Sequence, residues 1–342
     1  MDSITIKDIA KMCGVGVTTV SRAMNNHPDI NKQTKAKVMK VIKENNYVPN
    51  NSARNLKRSQ SKTIAVLIKG ITNPFFNKML QVFEKETKSR KYSYILQKVD
   101  ENQDEIDVAI ELEKEKRLKG IVFLGGYFSH TKEKLEQLTV PFVLSTIVMA
   151  SQAGENNYSS VSVDDFAESY KIVNYLCSLG HKKIAIISAP MNDESIGQLR
   201  FDGYKKALED NHIKLDRNLV WCMKDCIEGY SMKNGYEVTK ELLKSEEEFT
   251  AIYAISDSLA VGACKAILET GKKIPDDYSV AGFDGMDIAF YYNPSITTIR
   301  QPVEEIAKET IKILFDLIHK KTNSVHRIFP AELVVRESTK EL

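Results

Sequence analysis

The side chains in this 342-residue sequence that could do chemistry are spaced for recognition, and none is spaced for turnover. No Ser, His and Asp fall in a hydrolase order, and no Gly-rich loop ends in the Lys-Ser/Thr pair that cradles a phosphate. Gly125-Gly126 after an apolar run is too little for a dinucleotide site. Cys222 and Cys226 are four apart with no His cluster beside them, which argues against zinc. No catalytic residue, metal or cofactor is therefore expected. Recognition chemistry is instead concentrated in Val17-Thr18-Thr19-Val20-Ser21-Arg22, where a guanidinium fork, three hydroxyls and exposed methyl groups fall within two helical turns. A guanidinium suits two acceptors lying in one plane.

The elements that must position that segment are short helices. Thr5-Ile6-Lys7-Asp8 fits a capping box, with Ile6, Ile9, Ala10 and Cys13 on one helical face behind it. Gly14 ends that helix as a turn glycine would. A second helix runs from Val17 to about Met24 and buries Val20 and Ala23; Asn25 to Asp29 is loop; Asn31 caps a third helix that buries Val38, Val41 and Ile42. Residues 1–60 carry eleven Lys/Arg against four Asp/Glu, a balance of +7, and the rest carries 37 against 42, a balance of −5. A basic head on an acidic body suits a polyanion. A small bundle that binds protein has the same periodicity, but a helix, a tight turn and a second helix in a basic segment is the pattern of a helix-turn-helix. In that pattern Arg22 can pair with O6 and N7 of a guanine, and Val17 and the Thr18 methyl can pack on thymine methyls. Thr5, Ser21 and Asn31 suit phosphates, and Thr19 joins the contacting set.

Tyr47-Val48-Pro49 interrupts the helical signal. Asn50 to Arg58 is a helix candidate too short to stand alone in water. From Thr63 onward apolar strand-like runs alternate with amphipathic helices: Thr63–Ile68, Tyr92–Leu96, Gly120–Leu124, Pro141–Leu144, Val161–Val163, Ile184–Ile187, Ala251–Ala254 and Ser279–Gly282. The alternation argues α/β with parallel sheets, and its length argues two lobes with a cleft between them. No apolar run approaches a membrane span, the N-terminus has no secretory apolar core, and the five scattered cysteines read as reduced thiols, so a cytoplasmic protein is expected.

The ordered set Thr5-Ile6-Lys7-Asp8-Ile9-Ala10, Gly14 to Arg22, Asn46-Tyr47-Val48-Pro49-Asn50 and Ala53-Arg54-Asn55-Leu56 resembles the head of the lactose/galactose-repressor family. That resemblance implies a DNA-binding transcriptional regulator and no enzyme. It implies that the segment from Asn50 is a hinge helix that folds on operator DNA, with Leu56 wedged into the central base step and Ala53 beside it. An apolar wedge that unstacks a step and kinks the duplex fits that role. Gly16 stands where the family usually has Ser, and glycine is a tolerated cap. The small pair Val17-Thr18 points to a central CG step in the operator.

The resemblance continues through Thr72-Asn73-Pro74-Phe75-Phe76, Leu179 to Ala185, Arg200 to Tyr204, Ser256-Asp257, Gly282-Phe283-Asp284 and Thr297 to Pro302. It implies an all-α helix-turn-helix head at 1–49, a hinge and linker at 50–61, and a body at 62–342 of two Rossmann-like lobes of the periplasmic-binding-protein-like type. The lobes are expected at 62–160 with 293–322, and at 161–292 with 323–342. Arg200 and Asp284 look like the effector-anchoring pair. Ser256 occupies a polar contact position with Asp257 beside it, although Asp257 also reads as a structural helix cap. Tyr230 matches an aromatic that stacks on ligand, Phe75 and Phe76 supply the opposite wall, and Ser145 stands where several relatives carry an aspartate in the cleft. His181 reads as structural. The implied partners are double-stranded operator DNA, a small-molecule effector of the sugar type and a second copy of the chain; a phosphorylated carrier protein as corepressor is the alternative. With no heptad tail after Val335 to Thr339, a dimer is expected and not a tetramer.

Overall fold

The computed structural model describes residues 5–24, 27–45, 62–70, 72–100, 103–147, 158–190 and 195–342. The chain separates into two compact units, Met1–Ser61 and Lys62–Leu342.

In the first unit, α1 (Ile6–Cys13), α2 (Val17–Met24) and α3 (Lys32–Glu44) close on a core of Ile9, Ala10, Cys13, Val20, Ala23 and Val38, with Val41 and Ile42 packed against it. Thr5 and Asp8 form the expected capping box: Thr5 accepts from the Asp8 N–H, and the Asp8 carboxylate accepts from the Thr5 N–H at 2.9 Å. Gly14 ends α1 at φ +63°, a left-handed position that glycine occupies without strain. The Asn31 side chain accepts from the Gln33 N–H at 2.8 Å and starts α3.

The second unit holds two six-stranded sheets. The first contains β1 (Thr63–Ile68), β2 (Ser93–Lys98), β3 (Gly120–Leu124), β4 (Phe142–Ser145), β5 (Ser159–Val163) and β11 (His326–Phe329), in the order β11-β5-β4-β3-β1-β2 and wholly parallel. The second contains β6 (Ile184–Ser188), β7 (Val220–Cys222), β8 (Ala251–Ala254), β9 (Ser279–Asp284), β10 (Thr297–Arg300) and β12 (Glu332–Val334), in the order β12-β10-β9-β8-β6-β7, with β12 antiparallel to β10. The central strands β3, β4, β6, β8 and β9 are buried along their whole length. That is why their sequences are unbroken apolar runs.

Helices cover the sheets. In chain order they are α4 (Phe75–Ser89), α5 (Glu105–Lys116), the short α6 (Lys132–Leu135), α7 (Asp165–Ser178), α8 (Ile196–Asp210), α9 (Met232–Lys244), α10 (Asp257–Glu269), the short α11 (Asp287–Tyr291) and α12 (Val303–Ile318). The chain passes between sheets three times: after β5, after β10, and between β11 and β12. The lobe boundaries expected at 160, 292 and 322 therefore shift. β5 ends at Val163 in the first sheet, β10 at 297–300 pairs with β9 in the second, and β11 at 326–329 pairs with β5 in the first. Each passage follows the end of a strand, because a strand leaves its sheet only after its last ladder bond.

Candidate functional site

The carboxyl ends of the parallel strands from both sheets meet at a cleft of about 720 Å³. Open α/β sheets bind ligands at such ends. Of the expected effector residues, Phe75, Phe76, Arg200, Tyr230 and Asp284 line it.

Phe75 and Phe76 start α4 directly after β1. Pro74 stands at the cap position, and the Asn73 side chain accepts from the Phe75 N–H at 3.1 Å, so Asn73 does the capping. The two rings meet edge to face at 5.5 Å and are mostly buried. Gly125, at φ +69°, makes room for them. A Cβ there would lie 2.6 Å from Phe76 Cζ and 2.8 Å from the Lys69 carbonyl oxygen.

Arg200 projects from α8 and is 2% exposed. Its Nε and Nη2 each lie 2.8 Å from Asp165 Oδ1, Nη1 donates to the Ile255 carbonyl at 2.5 Å, and Asp284 Oδ1 lies 3.5 Å from Nη1. The guanidinium also sits 3.7 Å from the centre of the Phe283 ring. Burial works against its charge, but the Asp165 and Asp284 carboxylates hold its pKa above the ordinary value. Asp165 has the shorter contacts. Burial raises both carboxylates despite Arg200, and Asp284 reaches about 7 even with a 3.0 Å bond from Gln301 Nε2. Asp284 also has φ +116°, a conformation that costs a non-glycine residue of order 1–3 kcal/mol. The Gln301 N–H donating to its carbonyl at 3.2 Å helps hold it there. Tyr230 lies between β7 and α9 at φ +53°, with its N–H donating to Met223 Sδ at 3.1 Å.

Three expected contacts lie elsewhere. Ser145 is fully buried, its hydroxyl 3.0 Å from that of Thr310 on α12, and it is outside the lining. Ser256 is fully buried and caps α10 by accepting from the Leu259 N–H at 3.3 Å. Asp257 accepts from the Thr298 hydroxyl at 2.6 Å and from the Met286 N–H at 2.7 Å, which ties α10 to β10 and to the turn after β9. Burial and the nearby Asp284 push it up to about 8. His181 is structural, bonded to Thr250, Ser279 and the Lys340 carbonyl.

Sequence reasoning missed Asp165, Gln301 and Lys69, all of which line the cleft. Asp165, at the start of α7, reads locally as a helix-start acid; its partner Arg200 is 35 residues away. Lys69 pairs with Glu105 at 2.5 Å, and Glu105 bonds His130 at 2.8 Å.

On the head, Val17, Thr18 and Arg22 are exposed and Ser21 is half-buried. Their spacing places them on one face of α2, away from Val20 and Ala23. Thr19 is half-buried on the flank of that core, and Thr5 and Asn31 are exposed at the starts of α1 and α3. Asn50, Ala53 and Leu56 lie outside the described residues. Among the described residues no cluster of His, Cys, Asp and Glu could hold a metal, and no helix is long and apolar enough to cross a membrane.

A helix-turn-helix head joined in one chain to a two-lobed α/β body defines a class of transcriptional regulators, and the comparisons with known proteins agree. Residues 5–50 match the family of bacterial regulatory proteins of the lacI type, and residues 173–339 match the periplasmic binding protein-like domain. The HTH-type transcriptional regulator MalR of Clostridium butyricum is 43% identical over 98% of this chain and 99% of its own length. The HTH-type transcriptional repressor PurR of Histophilus somni (strain 129Pt) is 32% identical over 99% of both chains. A LacI family regulator from Enterococcus faecium, solved with bound ribose, is 30% identical with a TM-score of 0.69, over 82% of this chain and all of that one. The lac repressor dimer bound to operator and an anti-inducer shares the fold at a TM-score of 0.74 and 23% identity, over 99% of this chain and all of that one. The chain belongs to the LacI family of transcriptional regulators.

Proposed function

We propose that this regulator is a repressor of carbohydrate-use genes whose affinity for operator DNA is set by a sugar or sugar derivative in the cleft. The observation that carries this reading is the buried Arg200, Asp165 and Asp284 cluster opposite the Phe75 and Phe76 rings, in a cleft of about 720 Å³. Fixed donors and acceptors on one wall and aromatic faces on the other suit the hydroxyls and C–H faces of a sugar. The relative solved with ribose supports the same ligand class.

In this reading the exposed face of α2 enters the major groove. Val17, Thr18 and Arg22 read bases with Thr19 among the contacts of the same helix, while Thr5, Ser21 and Asn31 hold phosphates. Asn50, Ala53 and Leu56 form the minor-groove hinge. Two copies read a pseudo-palindromic site. Exposed Phe290 and Tyr291 on α11, at 57% and 79%, offer apolar surface for pairing. The ligand changes DNA affinity by as much as its affinities for two arrangements of the body differ.

Thermal unfolding of the full chain against a panel of sugars tests the ligand assignment. A cognate sugar at about 100 times its Kd stabilises the fold by about 2.7 kcal/mol, a shift readily seen in the midpoint. No shift with any sugar, against a clear one with a purine or an amino acid, overturns it.

A further inference from the structure

The cleft is longer than its Arg200 end requires. In the first sheet the order β5-β4-β3-β1-β2 sets five adjacent strand ends along it, and each contributes to the wall, from Asp165 after β5 to Lys98 and Asp100 at β2. At about 4.8 Å between neighbouring strands, that row spans roughly 19 Å. On the second sheet the lining runs from Gln301 and Asp284, at β10 and β9, to the segment 223–230 after the edge strand β7. Arg200, Asp165, Asp284 and Gln301 occupy the inner end only. A single sugar ring held there leaves the outer end, toward β2 and β7, unfilled.

Lys69 and Arg200 are tied into largely buried pairs, Lys224 into a partly exposed one and Lys98 into an exposed one. Among the described residues four cations line the cleft, and each has a carboxylate partner. Lys69 pairs with Glu105 at 2.5 Å, Lys98 with Asp100 at 2.8 Å, Lys224 with Glu241 at 2.5 Å and Arg200 with Asp165 at 2.8 Å. Asp225 and Glu228 add further negative charge to the outer wall. A phosphate or carboxylate on the ligand would compete with these pairs and meet those acids. An uncharged polyol can donate to the carboxylates and accept from the cations without breaking a pair.

We infer that the cleft takes an uncharged saccharide of two or more units, with one ring at Arg200 and a second in an outer subsite formed by Lys98, Asp100, Tyr127 and residues 224–229. Half-buried Tyr127 follows Gly125-Gly126 at the end of β3 and gives that subsite an aromatic face. This inference rests on the sugar reading above.

Calorimetric titration of the full chain with glucose, ribose, a set of neutral disaccharides (maltose, cellobiose, sucrose, lactose) and glucose 6-phosphate tests it. A disaccharide is expected to bind at least about tenfold more tightly than either monosaccharide, and the phosphorylated sugar more weakly than glucose. Tyr127→Ala is expected to reduce the ratio of disaccharide to monosaccharide affinity about tenfold. Lys98→Ala, at an exposed position that leaves folding intact, is expected to lower the same ratio. A monosaccharide that binds as tightly as every disaccharide overturns the outer subsite and leaves sugar control standing. Tightest binding of glucose 6-phosphate overturns the uncharged class. Binding of no sugar at all overturns both this inference and the sugar reading.

Discussion

Asp165 Oδ1 accepts from Nε of Arg200 at 2.8 Å and lies 2.8 Å from its Nη2, and both side chains are almost wholly buried. Arg200 is thus anchored by a carboxylate at the start of α7. Asp284, at 3.5 Å, is the looser partner at the cleft wall.

Removing the anchor leaves a buried guanidinium short of a partner. Asp165→Asn is expected to destabilise the body by about 3–5 kcal/mol, read from urea unfolding of the full chain. A cost below about 1 kcal/mol would mean that solvent reaches Arg200 and that the cleft floor is not pre-organised.

Stability of the body should depend on pH through its buried acids. Asp284 and Asp257 are raised to about 7 and about 8 in the fold. Between the unfolded carboxylate value and those values the folded chain holds protons that the unfolded chain has lost, so their contribution falls as pH rises. Asp257→Asn is expected to flatten the decline in urea midpoint between pH 5 and pH 8. His181 acts the other way: burial holds its pKa below the ordinary value, so it costs stability only as pH falls. An unchanged slope in the Asp257 variant would show that Asp257 titrates normally.

Gly125→Val places a side chain where the Phe76 ring stands, at a backbone angle that valine resists. Ligand affinity is expected to fall at least about tenfold while DNA binding persists. Calorimetry and a DNA titration on the same preparation separate the two effects. Equal loss of both would point to general unfolding.

For the head, Arg22→Ala is expected to cost about 1–3 kcal/mol of operator affinity and to relax preference at one base. Leu56→Ala is expected to weaken binding to the specific site more than to random DNA. Equal losses on both DNAs would remove the wedge role.

The parts of the fold legible in the sequence were those with a local physical signature. Thr5 and Asp8 cap α1 by contacts three residues apart, Gly14 ends it, and the strands buried on both faces are apolar runs. The edge strands β7, β11 and β12 were not read as strands because they are short and carry mixed side chains that are exposed or half-buried. In the cleft, Phe75, Phe76, Arg200, Tyr230 and Asp284 were placed by their motifs. Ser145 and Ser256 were misplaced because side-chain polarity does not say which neighbour uses it. Ser145 meets Thr310, 165 residues on, and Ser256 is consumed by its own helix.

The most direct test of the central claim is fluorescence anisotropy of labelled duplex DNA from upstream of the protein's own gene cluster, titrated at fixed salt with and without neutral sugars. The account predicts tight, salt-sensitive binding that one sugar shifts at least about tenfold, with the shift abolished in Asp284→Ala while DNA affinity is retained. DNA binding that no sugar changes, but that a phosphorylated carrier protein strengthens, would contradict it.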